Sequence, residues 1–170
     1  DLLDISRIEH GLVRLQTERV DLRYTLERVI AATQHDRQAA GQRLELSAPE
    51  RRIWVEADPV RLEQIFSNLL VNASKFTHQG GNISVKVALV PPAGRDGDDS
   101  SGTSEAVSVR IIDDGVGISP QMIEQVFELF VQAESERSRA SLGLGLGLPL
   151  TRQLVEMHGG SVRARSEGRG

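Results

Sequence analysis

The chain of 170 residues contains no cysteine, which excludes disulfide frameworks and cysteine-based zinc sites and is compatible with a reducing compartment. Aromatic residues make up only 4%, and with so few rings to stack on bases the composition argues against a single-strand nucleic-acid binder. No basic excess exists either. The formal net charge is -4, so there is no electrostatic footprint for DNA, RNA or anionic lipid and no nucleic-acid partner is expected, although local arginines could still hold a phosphate. No apolar run approaches the ~18 residues that would span a bilayer, no signal-peptide pattern opens the chain, and no repeat recurs at a period of roughly 20 to 50 residues. What is present is 39% hydrophobic and 26% charged residue. A chain of this size and composition forms one folded domain that buries roughly 70% of the surface its unfolded form exposes.

Periodicity divides the chain into elements. Leu2, Leu3, Ile5 and Ile8 make an apolar stripe that His10-Gly11 ends, so the chain opens within a helical pattern. Leu12 to Gln16 and Glu18 to Val20 read as a short strand or extended linker. Asp21 can cap a helix over Leu22 to Gln42, with Gly41 at its end. Strands follow near Leu44 to Ser47 and Ile53 to Glu56. Asp58-Pro59 is a cap followed by proline at the first helical position, and predicts a helix to about Thr77. Beyond Gly80-Gly81, Asn82 to Val90 and Val107 to Ile112 alternate as hairpin strands around the Pro-, Gly-, Asp- and Ser-rich connector Pro91 to Ser104. Ser119 to Phe130 reads as helical, Val131 to Ser141 as polar and mobile, Leu146 to His158 as a final helix, and Val162 onward as a last strand. The class is α+β, with helices on one face of a mixed sheet.

Three constellations can carry chemistry. On the Asp58 helix, Leu62, Ile65, Phe66, Leu69, Ala73 and Phe76 share one face, and Asn68, Asn72 and Lys75 cluster about 100° away. Amide oxygens there can ligate a hard cation and the lysine can contact phosphate, yet the three taken alone also read as a solvated face. The run from Val107 to Gly117 brings Asp113 to the apolar side of an alternating strand, where a carboxylate needs a donor such as the exocyclic amine of a base. Gly115 and Gly117 then permit close backbone approach to a flat ligand, although an ordinary Asp-Gly turn fits the same letters. Finally, Gly143-Leu144-Gly145-Leu146-Gly147-Leu148 leads into the last helix, where bare N–H groups favour an anion. This run matches neither the dinucleotide fingerprint nor a P-loop, and a plain hinge is the competing reading.

The order of the three is more telling than any one of them. Asn68-Leu69-Leu70-Val71-Asn72-Ala73-Ser74-Lys75-Phe76-Thr77 resembles the N box of bacterial sensor histidine kinases, and Asp113 to Ile118 resembles their first glycine box. Phe127-Glu128-Leu129-Phe130 resembles the F box; Gly143 to Leu148, with Arg139 ahead, is similar to the second glycine box, and Leu154 to Gly160 to the segment that closes it. The resemblance runs from Asp1 to about Glu167. It implies a Bergerat fold of the GHKL superfamily, a two-layer α/β sandwich with a mobile ATP lid.

By the same resemblance, Asp113 would read the adenine amine while Gly115, Gly117 and Ile118 border the base. Asn72 would ligate Mg²⁺, Lys75 would contact phosphate, and Gly143, Leu144, Gly145, Leu146, Gly147 and Leu148 would wrap the triphosphate beside Asn68. Arg139 could reach the γ-phosphate. Phe130 would border the site, although Phe127 and Phe130 also read as core anchors of the lid helix.

Residues 1–20 resemble the end of a second dimerisation helix plus linker, and residues 21–170 the catalytic ATP-binding domain. The phosphoacceptor histidine is therefore expected upstream. None of the four histidines fits that role: His35 falls in a helix of the nucleotide domain, and His10, His78 and His158 sit at helix ends as structural residues. Leu142 stands where relatives often carry a glycine. The chain stops at Arg169-Gly170, before the Gly-Ser-x-Phe strand common in relatives, so the sheet is expected to be one strand short.

The resemblance implies a histidine kinase catalytic domain using ATP and Mg²⁺. Its partners would be its own dimerisation domain and a response regulator receiver domain. The parent would be homodimeric, this chain monomeric and the catalytic portion cytoplasmic. Two rivals are a GHKL-type ATPase, disfavoured by Asn68 where those hydrolases carry a glutamate, and a nucleotide-sensing or partner-binding module without transfer activity.

Overall fold

In the computed structural model, residues 6–8, 10–91, 106–129, 131 and 145–168 are described. The connector beyond Pro91 and residues 132–144 of the expected lid lie outside them, as do Leu2, Leu3 and Ile5. The elements are β1 (Glu18–Asp21), α1 (Leu22–Ala32), α2 (Gln34–Ala39), β2 (Arg43–Ser47), β3 (Trp54–Ala57), α3 (Pro59–Phe76), β4 (Asn82–Val90), β5 (Ala106–Asp113), α4 (Pro120–Ile123) and α5 (Gly147–Met157).

The larger sheet has the order β2-β4-β5, with β2 parallel and β5 antiparallel to β4. It is a mixed sheet. β4 alternates over residues 82–87: Ile83, Val85 and Val87 are buried, whereas Asn82 and Lys86 are exposed. The buried row meets Leu26 and Val29 of α1, Ile65, Phe66, Leu70 and Ala73 of α3, and Leu150 and Leu154 of α5 in one core. Leu70, Leu150 and Leu154 are completely covered, each contributing about 2 kcal/mol relative to exposure. The helices thus cover one face of the sheet, in the expected α+β arrangement. Among the described residues no helix is long and apolar enough to cross a membrane.

Four local expectations are corrected. The helix foreseen over Leu22 to Gln42 breaks at Thr33 into α1 and α2. There the Thr33 hydroxyl donates to the Val29 carbonyl (2.8 Å), and the buried Arg37 guanidinium donates to the carbonyls of Ile30 (2.6 Å) and Thr33 (3.0 Å). These bonds satisfy the end of α1 sideways, so the helix stops. Arg37 is 4% exposed, and desolvation by burial lowers its pKa. Secondly, the strands do not form one sheet. β1 pairs antiparallel with β3 in a separate two-stranded sheet, from Glu18↔Ala57 to Asp21↔Trp54.

The third concerns Ser119 to Phe130, where among the described residues only Pro120–Ile123 is helical. Gln125 N–H donates to the Met122 carbonyl and Glu128 N–H to that of Gln125, so successive i to i+3 bonds replace the helical ladder with tight turns. Finally, among the described residues no strand forms from Val162 onward, although half-buried and exposed residues alternate through 161–167. What ties that segment to the sheet side is the Ser166 hydroxyl, which accepts the Ile118 N–H at 2.9 Å.

Candidate functional site

α3 is the element on which the site is built. Its N-terminus is fixed by Asp58, whose carboxylate accepts the N–H groups of Val60 (3.0 Å) and Arg61 (3.1 Å), with Pro59 in the first turn. The other carboxylate oxygen accepts the Gln16 N–H at 2.9 Å. Burial alone would raise the Asp58 pKa, but the N–H groups of Gln16, Arg61 and Val60, with the Arg61 charge, outweigh it and hold the carboxyl below the ordinary value. At the far end, the Thr77 hydroxyl donates to the Ala73 carbonyl at 2.6 Å. The apolar stripe turns Ile65, Phe66, Leu70 and Ala73 into the core. Asn68 and Asn72 are left half-buried at its border, and Lys75 is exposed with Nζ 5.2 Å from the Phe76 ring centroid.

Two other segments converge on this border. The first glycine of α5, Gly147, accepts a hydrogen bond from Asn68 Nδ2 at its carbonyl oxygen (3.3 Å). A Cβ on Gly147 would stand 3.7 Å from Asn68 Cγ and 3.8 Å from Asn72 Nδ2, so both amides face the start of α5. Among the described residues no side chain caps that start. Gly145 just ahead has φ +69°, a left-handed conformation that suits glycine. Leu146 is buried in the core and can offer a ligand only its backbone, while Leu148 is half-buried.

The second segment is the turn after β5. The Val116 N–H donates to the Phe76 carbonyl at 3.1 Å, and a Cβ on Gly115 would overlap that same oxygen. Gly117 has φ +68°. Asp113 shares the alternation of Val107, Val109 and Ile111, but it is exposed rather than buried. It forms the last register pair of the sheet, with Ile83, beyond Ile111, which still packs against the core. Its carboxylate accepts the Gly115 N–H at 3.0 Å, which shapes the turn and leaves lone pairs open to solvent.

The structure therefore brings Asn68 and Asn72 of α3 together with Gly147 at the start of α5, and brings Phe76, at the end of α3 beside Lys75, together with Gly115 and Val116 of the turn that leads to Gly117 and Ile118. Phe130, Arg139, Gly143 and Leu144 lie outside the described residues. A cleft of about 270 Å³ lined by Trp54, Val55, Leu89 and Val107 is a separate feature, at the opposite end of the β4–β5 pairing from Asp113. Among the described residues no cluster of His, Asp or Glu could hold a metal ion. The donors present are amide oxygens, hard ligands that suit a magnesium ion delivered with phosphate oxygens.

Sequence reasoning gave no role to Asp114. Its carboxylate accepts both the main-chain N–H (2.8 Å) and the side-chain amide (2.7 Å) of Asn82, pinning the glycine turn to the first residue of β4. Those two donors hold its carboxyl below the usual value. The acidic doublet Asp113-Asp114 was the available signal. Two of the expected structural histidines have identifiable hydrogen bonds. His10 Nδ1 lies 2.7 Å from the Ser6 carbonyl. His158 Nδ1 meets the Leu154 carbonyl (2.7 Å) while Nε2 accepts the Asp58 N–H (3.0 Å), so its proton sits on Nδ1.

Comparison with known proteins agrees with this fold. The family described as histidine kinase-, DNA gyrase B-, and HSP90-like ATPase matches residues 57–170. The autoinducer 2 sensor kinase/phosphatase LuxQ of Vibrio cholerae is 37% identical over 171 residues, covering 98% of this chain and 18% of that protein. The chain spans about 18% of the length of the first curated relatives it matches. Among solved structures, the mycobacterial sensor histidine kinase MprB aligns with a TM-score of 0.68 at 27% identity, over 86% of this chain and 83% of that one. Full-length ShkA in complex with AMPPNP aligns with a TM-score of 0.72 at 25% identity, over 97% of this chain and 32% of that one. With α3, the glycine turn and α5 all inside the matched region, the chain belongs to the histidine kinase-, DNA gyrase B- and HSP90-like ATPase family, in the branch of sensor histidine kinase catalytic domains.

Proposed function

We propose that this chain binds ATP·Mg²⁺ and presents the γ-phosphate to a histidine on a dimerisation domain outside it, in two-component signal transduction. The observation that carries the reading is the convergence of Asn68 and Asn72 on the start of α5, where no side chain of the described residues forms a cap. Main-chain N–H groups at a helix start, with its positive dipole end, attract phosphate. Gly145, Gly147 and Leu148, with the backbone of Leu146, supply them, beside Asn68. Asn72 would hold Mg²⁺ through its amide oxygen, and the ion supplies charge neutralisation on the phosphates when bound. Lys75 contacts phosphate from the next turn of α3. Asp113 accepts the adenine amine, and Gly115, Gly117 and Ile118 admit the base against the backbone. The nucleotide of the ShkA complex, AMPPNP, is an ATP analogue and supports this assignment. The roles that the family resemblance gives Phe130, Arg139, Gly143 and Leu144 belong to the same proposal.

Phosphoryl transfer asks little covalent chemistry of a protein, so positioning and charge neutralisation are its contribution. Asn68 cannot act as a base, because an amide neither accepts a proton usefully near neutral pH nor becomes anionic. That favours transfer to an external histidine over hydrolysis. The division at about residue 20 into a dimerisation-helix end with linker and a catalytic domain belongs to the reading. So do a receiver-domain partner, a homodimeric parent and a cytoplasmic catalytic portion.

Incubation with γ-labelled ATP tests it. The chain alone should stay unlabelled, and adding the parent's dimerisation helices should place label on their histidine. Stable label on the chain itself, or turnover well above about one per minute, would overturn the reading in favour of a hydrolase.

A further inference from the structure

We infer that Gln42 is a positioning residue for the nucleotide site, acting through the last turn of α3. The inference rests on the reading of α3 as the nucleotide-binding helix. Gln42 lies between α2 and β2, more than thirty positions from that turn. Its side-chain Nε2 donates to the carbonyls of Ser74 (2.8 Å) and Thr77 (3.0 Å), with a longer contact to that of His78 (3.4 Å). Its Oε1 accepts the Ser74 hydroxyl at 2.7 Å. One carboxamide therefore grips both sides of the segment from Ser74 to His78. Its own backbone is held in turn, since the Gln42 N–H donates to the Arg37 carbonyl at 2.9 Å.

The gripped segment is the one that matters for the site. The last carbonyls of a helix lack intrahelical donors and must be satisfied from outside. Gln42 takes Ser74 and Val116 takes Phe76, so the two held carbonyls flank Lys75. The same Phe76 oxygen is the surface on which Gly115 rests. A turn that lost the Gln42 donors would seek water for the Ser74 and Thr77 carbonyls, and any unwinding would move Lys75 and the seat of the glycine turn together. The side-chain hydrogen bonds of Gln42 go to Ser74, Thr77 and His78 rather than to a proposed ligand-binding group, so its effect on binding is indirect.

The experiment compares three replacements by calorimetric titration with ATP·Mg²⁺, at a temperature where circular dichroism shows each variant folded. Gln42→Leu removes the donors, Gln42→Glu turns a carboxylate toward three carbonyls, and Gln42→Lys keeps a donor at the helix end. Gln42→Leu and Gln42→Glu should weaken binding by about fivefold or more, the worth of one to two hydrogen bonds. Gln42→Lys should stay within about twofold of the unmodified chain. On a Lys75→Ala background the Gln42→Leu effect should shrink, because residues acting through one turn are not additive.

A purely structural role would lower the melting temperature in all three variants without this pattern of rescue and coupling, and that result overturns the inference. Unchanged affinity in Gln42→Leu and Gln42→Glu overturns it as well. Should Gln42→Leu not fold, the contrast between Gln42→Glu and Gln42→Lys carries the test. Failure of the unmodified chain to bind ATP·Mg²⁺ is a different result, which removes the reading of the site rather than the role of Gln42.

Discussion

The carbonyl oxygen of Phe76 occupies the space that a Cβ on Gly115 would need, and the same oxygen accepts the N–H of Val116. The glycine turn and the last turn of α3 are therefore in backbone contact, with no side chain between them to give way. Gly115→Ala should destabilise the domain by about 2 kcal/mol, as overpacking against fixed atoms does. It should also weaken ATP binding about tenfold. Thermal denaturation and calorimetry read the two effects, and an alanine variant with unchanged values for both contradicts the contact.

Asp113 sets base preference under the proposed function. A carboxylate accepts from the adenine amine but repels the carbonyl oxygen that guanine carries there, whereas an amide can meet either. The unmodified chain should prefer ATP to GTP, and Asp113→Asn should narrow that preference by about tenfold. Titrations with both nucleotides decide it, and equal affinities in the unmodified chain would remove the role given to Asp113.

Asn72 tests the metal. Asn72→Ala should weaken ATP binding by about tenfold in magnesium and much less in EDTA, where there is no ion to hold. Similar losses in the two buffers would mean that Asn72 serves the nucleotide or the fold instead.

Acid should loosen both ends of the site framework. Asp58 and Asp114 have folded pKa values below their ordinary ones, so each adds stability that is present above the unfolded pKa and lost as pH falls through the folded value. Urea denaturation should show stability declining below about pH 4. Asp58→Ala removes the cap of α3 and the anchor of the Gln16 N–H, and should cost about 1 to 2 kcal/mol at pH 7. That cost should fade as pH falls through the lowered folded value, where the unmodified carboxyl is protonated too.

The residues of α3 announced themselves, because everything that makes the helix is local: a cap and proline at Asp58-Pro59, an apolar stripe from Leu62 to Ala73 and polar residues beside it. The Asp113 turn and the α5 glycines were readable for the same reason. The break at Thr33 was not, since it depends on the Arg37 guanidinium reaching back to the Ile30 and Thr33 carbonyls, a use of arginine that no periodicity encodes. Separation of β1–β3 from the larger sheet is likewise a matter of tertiary pairing. Asp113 was expected at the buried end of an alternation and is exposed, because alternation gives the side of a strand and not where its cover ends. Gln42 and Asp114 act on partners more than thirty positions away, beyond any motif window.

The parallel pairing of β2 with β4 has a kinetic consequence. Arg43 meets Asn82 and Ser47 meets Lys86, so β3 and the whole of α3 lie inside a loop of roughly forty residues that must close before the larger sheet exists. Non-local closure of this kind slows folding relative to helical packing alone. During synthesis the helix bearing Asn68, Asn72 and Lys75 is complete before β5 and α5, two of the elements that pack against it. A nascent chain halted before Asn82 would thus leave Ile65, Phe66 and Leu70 covered only from the side of α1, and they come fully out of reach of aggregation once β5 and α5 have been made and packed.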